Sequence, residues 1–158
     1  MTLARFSRRM AKRGDQVQPN TNLLVRAIAL QSLTTVSFAT PVDTGRARSN
    51  WQVSIGKPLR SQLESFAGDQ PSGGSESQRA ANGAIATQTS VARGNTTIGQ
   101  YKGQGGIFLS NNVDYINELN LGSSPQAGRD FVGTAVRESV KAVVNSPRFR
   151  GIIQRSSI

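Results

Sequence analysis

The chain contains no cysteine and no histidine among its 158 residues. A disulfide framework, a thiolate zinc site and an imidazole general base are all excluded. Aromatics are scarce, with one Trp and two Tyr, too few for the stacking platforms of a single-strand nucleic-acid reader. No helix-turn-helix spacing stands out. No run of about 18 consecutive apolar residues is present, the length a membrane-spanning helix requires. The basic N-terminus is not followed by an apolar stretch, so it does not read as a secretory signal. The expectation is a soluble product of the cytoplasm that does not engage a membrane.

Acidic residues are also few, nine in all. Asp114 and Glu118 stand four apart and could share a helix face, but one such pair is far more often solvated surface than an acid/base site. Nothing has the spacing of converging oxygen ligands for a divalent metal. Gly103-Gln104-Gly105-Gly106 lacks the Lys-Ser/Thr and the strand-before-helix context of a phosphate cradle. The chain is expected to be non-enzymatic, with no cofactor and no metal.

What is present is positive charge, +10 net, placed mainly at the ends. Arg5, Arg8, Arg9, Lys12 and Arg13 open the chain without an acid among them. Arg129, Arg137, Lys141, Arg148, Arg150 and Arg155 close it against Asp130 and Glu138. Two basic ends point to an anionic partner, either nucleic acid or an acidic protein surface. Sixteen glycines and a modest hydrophobic fraction of 36% leave room for one domain with much loop.

Leu3, Phe6 and Met10 fall at helical spacing, predicting a short amphipathic helix over 3–13 that Gly14 ends. Pro19-Asn20-Thr21 opens a second helix, about 21–39, that stops before Pro41. Leu23, Ala27 and Leu30 form one row of it, yet Val25, Ala29, Leu33 and Val36 occupy the far side, with Arg26 the only charge. A helix apolar around most of its circumference is covered on more than one side, and one cover is expected to be another copy of the chain.

Residues 50–55 alternate as a strand with Trp51, Val53 and Ile55 on its buried face. A loop is expected over 56–75, then a helix from the Ser75–Gln78 capping box to about Val91. Ile107-Phe108-Leu109 reads as a strand, Asn112 to Leu121 as a short helix, and Arg129 to Val144 as a helix with a valine stripe at 132, 136, 140, 143 and 144. Asn145-Ser146-Pro147 ends it and leaves a basic tail. The fold class is α+β, a small antiparallel sheet packed with a long N-terminal and a C-terminal helix, with extended basic termini. The organisation is a basic arm (1–18), one domain (19–145) with a glycine- and serine-rich insertion at about 56–106, and a basic tail (146–158).

Two segments stand out. In Pro41-Val42-Asp43-Thr44-Gly45-Arg46-Ala47-Arg48-Ser49-Asn50-Trp51, proline ends a helix and the Asp43 carboxylate suits an Asx-type turn. Gly45 supplies a positive φ, and Arg46 and Arg48 would project before Trp51 enters the sheet. The second runs from Ile107 through Leu109-Ser110-Asn111-Asn112, with Tyr115, Ile116 and Leu119, to Gly122-Ser123-Ser124-Pro125-Gln126-Ala127. It places an Asn-rich cap and an amphipathic tyrosine after a strand.

Taken in order, these segments resemble the phage head–tail joining family, including tail-completion proteins of the minor tail protein Z type. The resemblance covers roughly residues 5–145 and rests on 41–51 and 107–132. The stretch Gln126-Ala127-Gly128-Arg129-Asp130 lacks the Ala-Pro pair of many relatives.

The resemblance implies a small α+β structural protein of the virion. It would form a homo-oligomeric ring, sixfold or twelvefold, in the neck between the portal-side connector and the tail tube or tail terminator. Arg5, Arg8, Arg9, Arg46 and Arg48 are then the candidate contacts to neighbours or, independently of sequence, to channel DNA. A tail-terminator or head-closure ring is the nearest alternative, and a free basic nucleic-acid-binding protein is the alternative of a different class.

Overall fold

The computed structural model describes residues 3–64 and 74–156. Its elements are α1 (Leu3–Ala39), α2 (Arg46–Ser49), β1 (Gln52–Ile55), α3 (Glu76–Gly99), β2 (Ile107–Ser110), α4 (Ile116–Asn120), α5 (Phe131–Asn145) and α6 (Pro147–Ser156). The architecture is α+β, with β1 and β2 paired antiparallel in the register Gln52↔Ser110 to Ile55↔Ile107.

α1 is the axis. Expected as two pieces, it is one helix of 37 residues that passes through Gly14 and Pro19, about 55 Å long at 1.5 Å per residue. Proline removes one backbone donor, but the turn it interrupts is exposed at Asp15, where water can serve the orphaned carbonyl. The Val17–Ala39 segment is long and apolar enough, by length and composition, to cross a membrane, although no uninterrupted apolar run marks it. Serine and threonine hydroxyls punctuate the segment. Its Leu33, Val36 and Ser37, with Thr40 just beyond it, lie fully buried inside the chain's own core.

α3 and α5 pack along α1, and α3 also packs on β1. The Ser37 and Ser90 hydroxyls lie 3.2 Å apart, and the place of a Cβ on Gly94 falls 2.3 Å from Leu33. Later positions of α3 thus lie against earlier positions of α1, so the two run antiparallel. α5 also runs back along α1. Ser139 donates to the Thr35 hydroxyl, while the start of α5 is tied by Asp130 N and Val132 N to Asn120 of α4. The core joins Ala29, Leu33 and Val36 of α1 with Trp51, Val53, Ile98, Phe131 and Ala135.

Several local expectations hold. The capping box is formed, Gln78 N–H donating to Ser75 Oγ and Ser75 N–H to Gln78 Oε1. It starts α3, which continues past Val91 to Gly99, so much of the 56–106 region is a core-packing helix.

Others are corrected. On α5 the buried row is Phe131, Ala135, Ser139 and Val143, while Val136 and Val140 of the expected stripe are exposed. Small residues at 135 and 139 let α5 approach α1 closely, and Val136 and Val140 turn outward. The C-terminal segment is not extended either: Pro147, suited to a first helical turn, begins α6, whose Phe149 is buried. Residues 65–73 of the expected loop, and the side chains of Leu3, Phe6, Lys12, Arg13 and Arg155, lie outside the described residues.

Candidate functional site

The two informative segments, far apart in the chain, form one surface. Gln126 Oε1 accepts a hydrogen bond from Val42 N at 2.9 Å, across 84 residues. Asn111 Nδ2 donates to Ala47 O at 2.7 Å. Between the segments lies a cleft of about 390 Å³, lined by Pro41–Ala47 on one wall and by Tyr115, Leu119, Ser124 and Gln126 on the other.

The first wall is rigid for identifiable reasons. Gly45 has φ 90 and directly precedes the single turn of α2. The Thr44 hydroxyl accepts from Arg46 N–H at 3.2 Å. Trp51 is buried and its Nε1 donates to Thr40 Oγ1 at 2.8 Å, pinning the strand entrance to the end of α1. Asp43 is exposed beside the cleft.

Arg48 does not project as expected. Its Nε and NH2 donate to Thr40 O at 3.1 and 2.7 Å, and NH2 also donates to Phe38 O at 2.9 Å. The guanidinium therefore caps the carbonyl end of α1, where a cation is favoured. Burial lowers its pKa from the ordinary arginine value. Arg46 is half-buried and lines the cleft. Its Nε and NH2 reach the Gln62 side-chain oxygen at 3.3 and 3.1 Å once that amide is oriented to accept.

On the second wall Val113 is buried, and its N–H donates to Asn111 Oδ1 at 3.3 Å. Asn112 Nδ2 donates to Leu59 O and Ser61 O. Gly122, with φ 94, turns the chain out of α4. Tyr115, Leu121 and Phe38 are exposed apolar groups, Leu121 at 64% and Phe38 at 62%.

Sequence reasoning missed a polar clamp beside this site. Asn50 and Leu63 exchange hydrogen bonds, and Gln52 Nε2 donates to Ser61 O. The segment around 59–63 thus covers the polar side of β1, which is why Gln52 is buried. Arg93 was missed as well. Its NH2 donates to Ser49 O and Trp51 O, and burial lowers its pKa. An asparagine and a glutamine bracketing a tryptophan were the available signal.

The N-terminal arginines are at the other end of the molecule. Arg5, Arg8 and Arg9 lie on the exposed first turns of α1, whereas the cleft lies beyond its last turn. The five candidate contact arginines therefore do not form one patch. Among the described residues no group of three acidic side chains is placed to hold a metal ion. No family model matches the chain, and neither a curated protein nor a solved structure matches it.

Proposed function

We propose that the chain is a non-enzymatic structural protein of a tailed-phage virion, a ring-forming tail-completion or head–tail joining component of the neck. One observation carries the reading. The two segments on which the family resemblance rests are hydrogen-bonded into a single cleft-bearing surface, as a shared recognition element would require. Assembly is supported by the apolar surface left open: Leu23 and Phe38 on α1, and Val136 and Val140 on α5. Isolated exposed apolar side chains are ordinary, but Val136 and Val140, neighbours on one face of α5, suit contact with another subunit.

The test is genetic and structural. A phage carrying a stop codon in this gene is expected to yield filled heads and separate tails that do not join. Purified wild-type virions should contain the chain in cyclic density between portal and tail. Virions that lack the chain, or mutants that still join heads to tails, would overturn the proposal.

The exposed arginines on the first turns of α1 favour a second reading, a free nucleic-acid-binding protein. It requires the isolated chain to bind duplex DNA with a steep salt dependence. The neck reading requires no tight binding by the isolated chain.

A further inference from the structure

We infer that the N-terminal arm of α1 seats on the cleft of a second copy of this chain, making the subunit contact head-to-tail. This rests on the assembly reading above and gives it a specific interface.

The arm is the stretch from Leu3 to Val17. Every side chain described in it is exposed, including Met10 at 51% and Val17 at 48%. The body meets α1 at Gln18 and Asn22, beside Gly103. Fifteen helical residues make an arm of about 22 Å.

Its apolar line continues along a side of α1 that is half-buried in the body. Met10, Val17, Leu24, Ile28 and Thr35 follow one another at seven or four residues, on one side of α1. At Thr35 that side meets α5 through Ser139. At Met10 and Val17 the same side is open, and a cover for it would come from another molecule.

The arm cannot reach the cleft of its own chain. The cleft lies beyond the C-terminal end of α1, and Gln18 to Pro41 spans roughly 35 Å of helix, with the arm directed away from it. Two arms cannot cover each other readily either. Each brings five cations between Arg5 and Arg13, and like charges packed side by side repel.

The cleft of another copy matches in both respects. Its walls offer Val42, Leu119 and Tyr115 as apolar lining. The exposed carboxylates Asp114 and Glu118 stand beside the second wall, next in sequence to Tyr115 and Leu119, and the lining itself holds Asp43 with Arg46. Neither Asp114 nor Glu118 belongs to the Arg137–Asp130 or Lys141–Glu138 pair. A contact between opposite ends of identical subunits is heterologous, and its repetition closes a ring when the rotation per subunit allows.

The absence of native cysteine makes the test direct. A Met10→Cys chain and a Ser124→Cys chain are mixed at high concentration and oxidised, with circular dichroism confirming that both are folded. The expected product is the mixed disulfide dimer in excess of either homodimer. A chain carrying both substitutions should give a ladder of multimers.

Arg5→Glu with Arg9→Glu in the first chain should cut the mixed dimer about tenfold. Asp114→Lys with Glu118→Lys in the second chain should restore it. Absence of the mixed dimer, predominance of the Met10–Met10 product, or failure of the charge swap to restore the yield overturns the inference. So does loss of the cross-link to added duplex DNA, which would make nucleic acid the arm's partner. A chain found in virion necks without this cross-link would leave the neck reading standing and remove only this interface.

Discussion

Arg48 shows how one residue can be read correctly in type and misread in role. Its place in a turn beside Arg46 suggested an outward contact, yet three hydrogen bonds commit it to the carbonyls of Phe38 and Thr40. Hydrogen bonds from a charged donor contribute about 1.5–3 kcal/mol, and the group is partly solvated, so the lower end applies. Arg48→Ala is expected to destabilise the fold by about 1.5 kcal/mol in urea unfolding. Arg48→Lys should recover little, because an ammonium lacks the planar fork that reaches both carbonyls.

Gly94 makes the complementary case for steric fit. A Cβ there would fall 2.3 Å from Leu33 Cδ2 and 2.8 Å from Val53 Cγ2. Alanine would gain up to about 1 kcal/mol of helix propensity, but overpacking a core costs about 1–3 kcal/mol. Gly94→Ala is therefore expected to be destabilising by thermal or urea unfolding, the opposite of what propensity alone predicts.

At the scale of elements, legibility followed the range of the forces involved. The capping box of α3, the pairing strands 52–55 and 107–110, and the start of α5 are set by neighbours in sequence, and they could be read there. The continuity of α1 could not, because Gly14 and Pro19 are local breakers and no local signal shows that the helix absorbs them. The valine stripe of α5 was misplaced for a similar reason. Hydrophobicity favours Val136 and Val140, while close helix approach favours Ala135 and Ser139, and only the packed partner decides. Of the candidate site, both walls were visible as motifs. Their meeting through Val42 and Gln126 was not, since 84 residues separate them.

The start of α5 also carries a pH dependence. Asp130 adopts φ 56 at the N-cap, its carboxylate accepts from Gly133 N at 3.3 Å, and Arg137 donates to it at 2.9 Å. Gly133 leaves the room, since a Cβ there would fall 2.5 Å from Asp130 Oδ1. The Arg137 hydrogen bond is the main cause of a carboxyl pKa held below the ordinary aspartate value. A group depressed in the folded state contributes stability that is fully present above its unfolded pKa. That contribution is lost as pH falls through the lower folded value. Asp130→Asn should therefore reduce stability at neutral pH and flatten the acid limb of the stability profile, measured by urea titration from neutral pH downward.

At the scale of the molecule, the fold separates two jobs along one helix. The C-terminal half of α1 carries the core, with Leu33, Val36 and Ser37 buried. The arm before Gln18 is exposed at every described side chain and holds the densest run of positive charge. A segment whose described side chains are all exposed contributes little to that chain's stability. Deleting residues 2–17 is thus expected to leave the unfolding midpoint and its denaturant dependence nearly unchanged, while helical ellipticity falls by the arm's share. The same deletion should abolish self-association, measured by sedimentation equilibrium of the full-length and truncated chains at matched concentration and salt. A truncated chain that associates as strongly as the full one would mean that the open faces of α1 and α5 suffice for assembly. A large loss of stability would instead mean that the arm and the core of α1 fold as one cooperative unit. The exposure of Met10 and Val17 argues that stability stays and association goes.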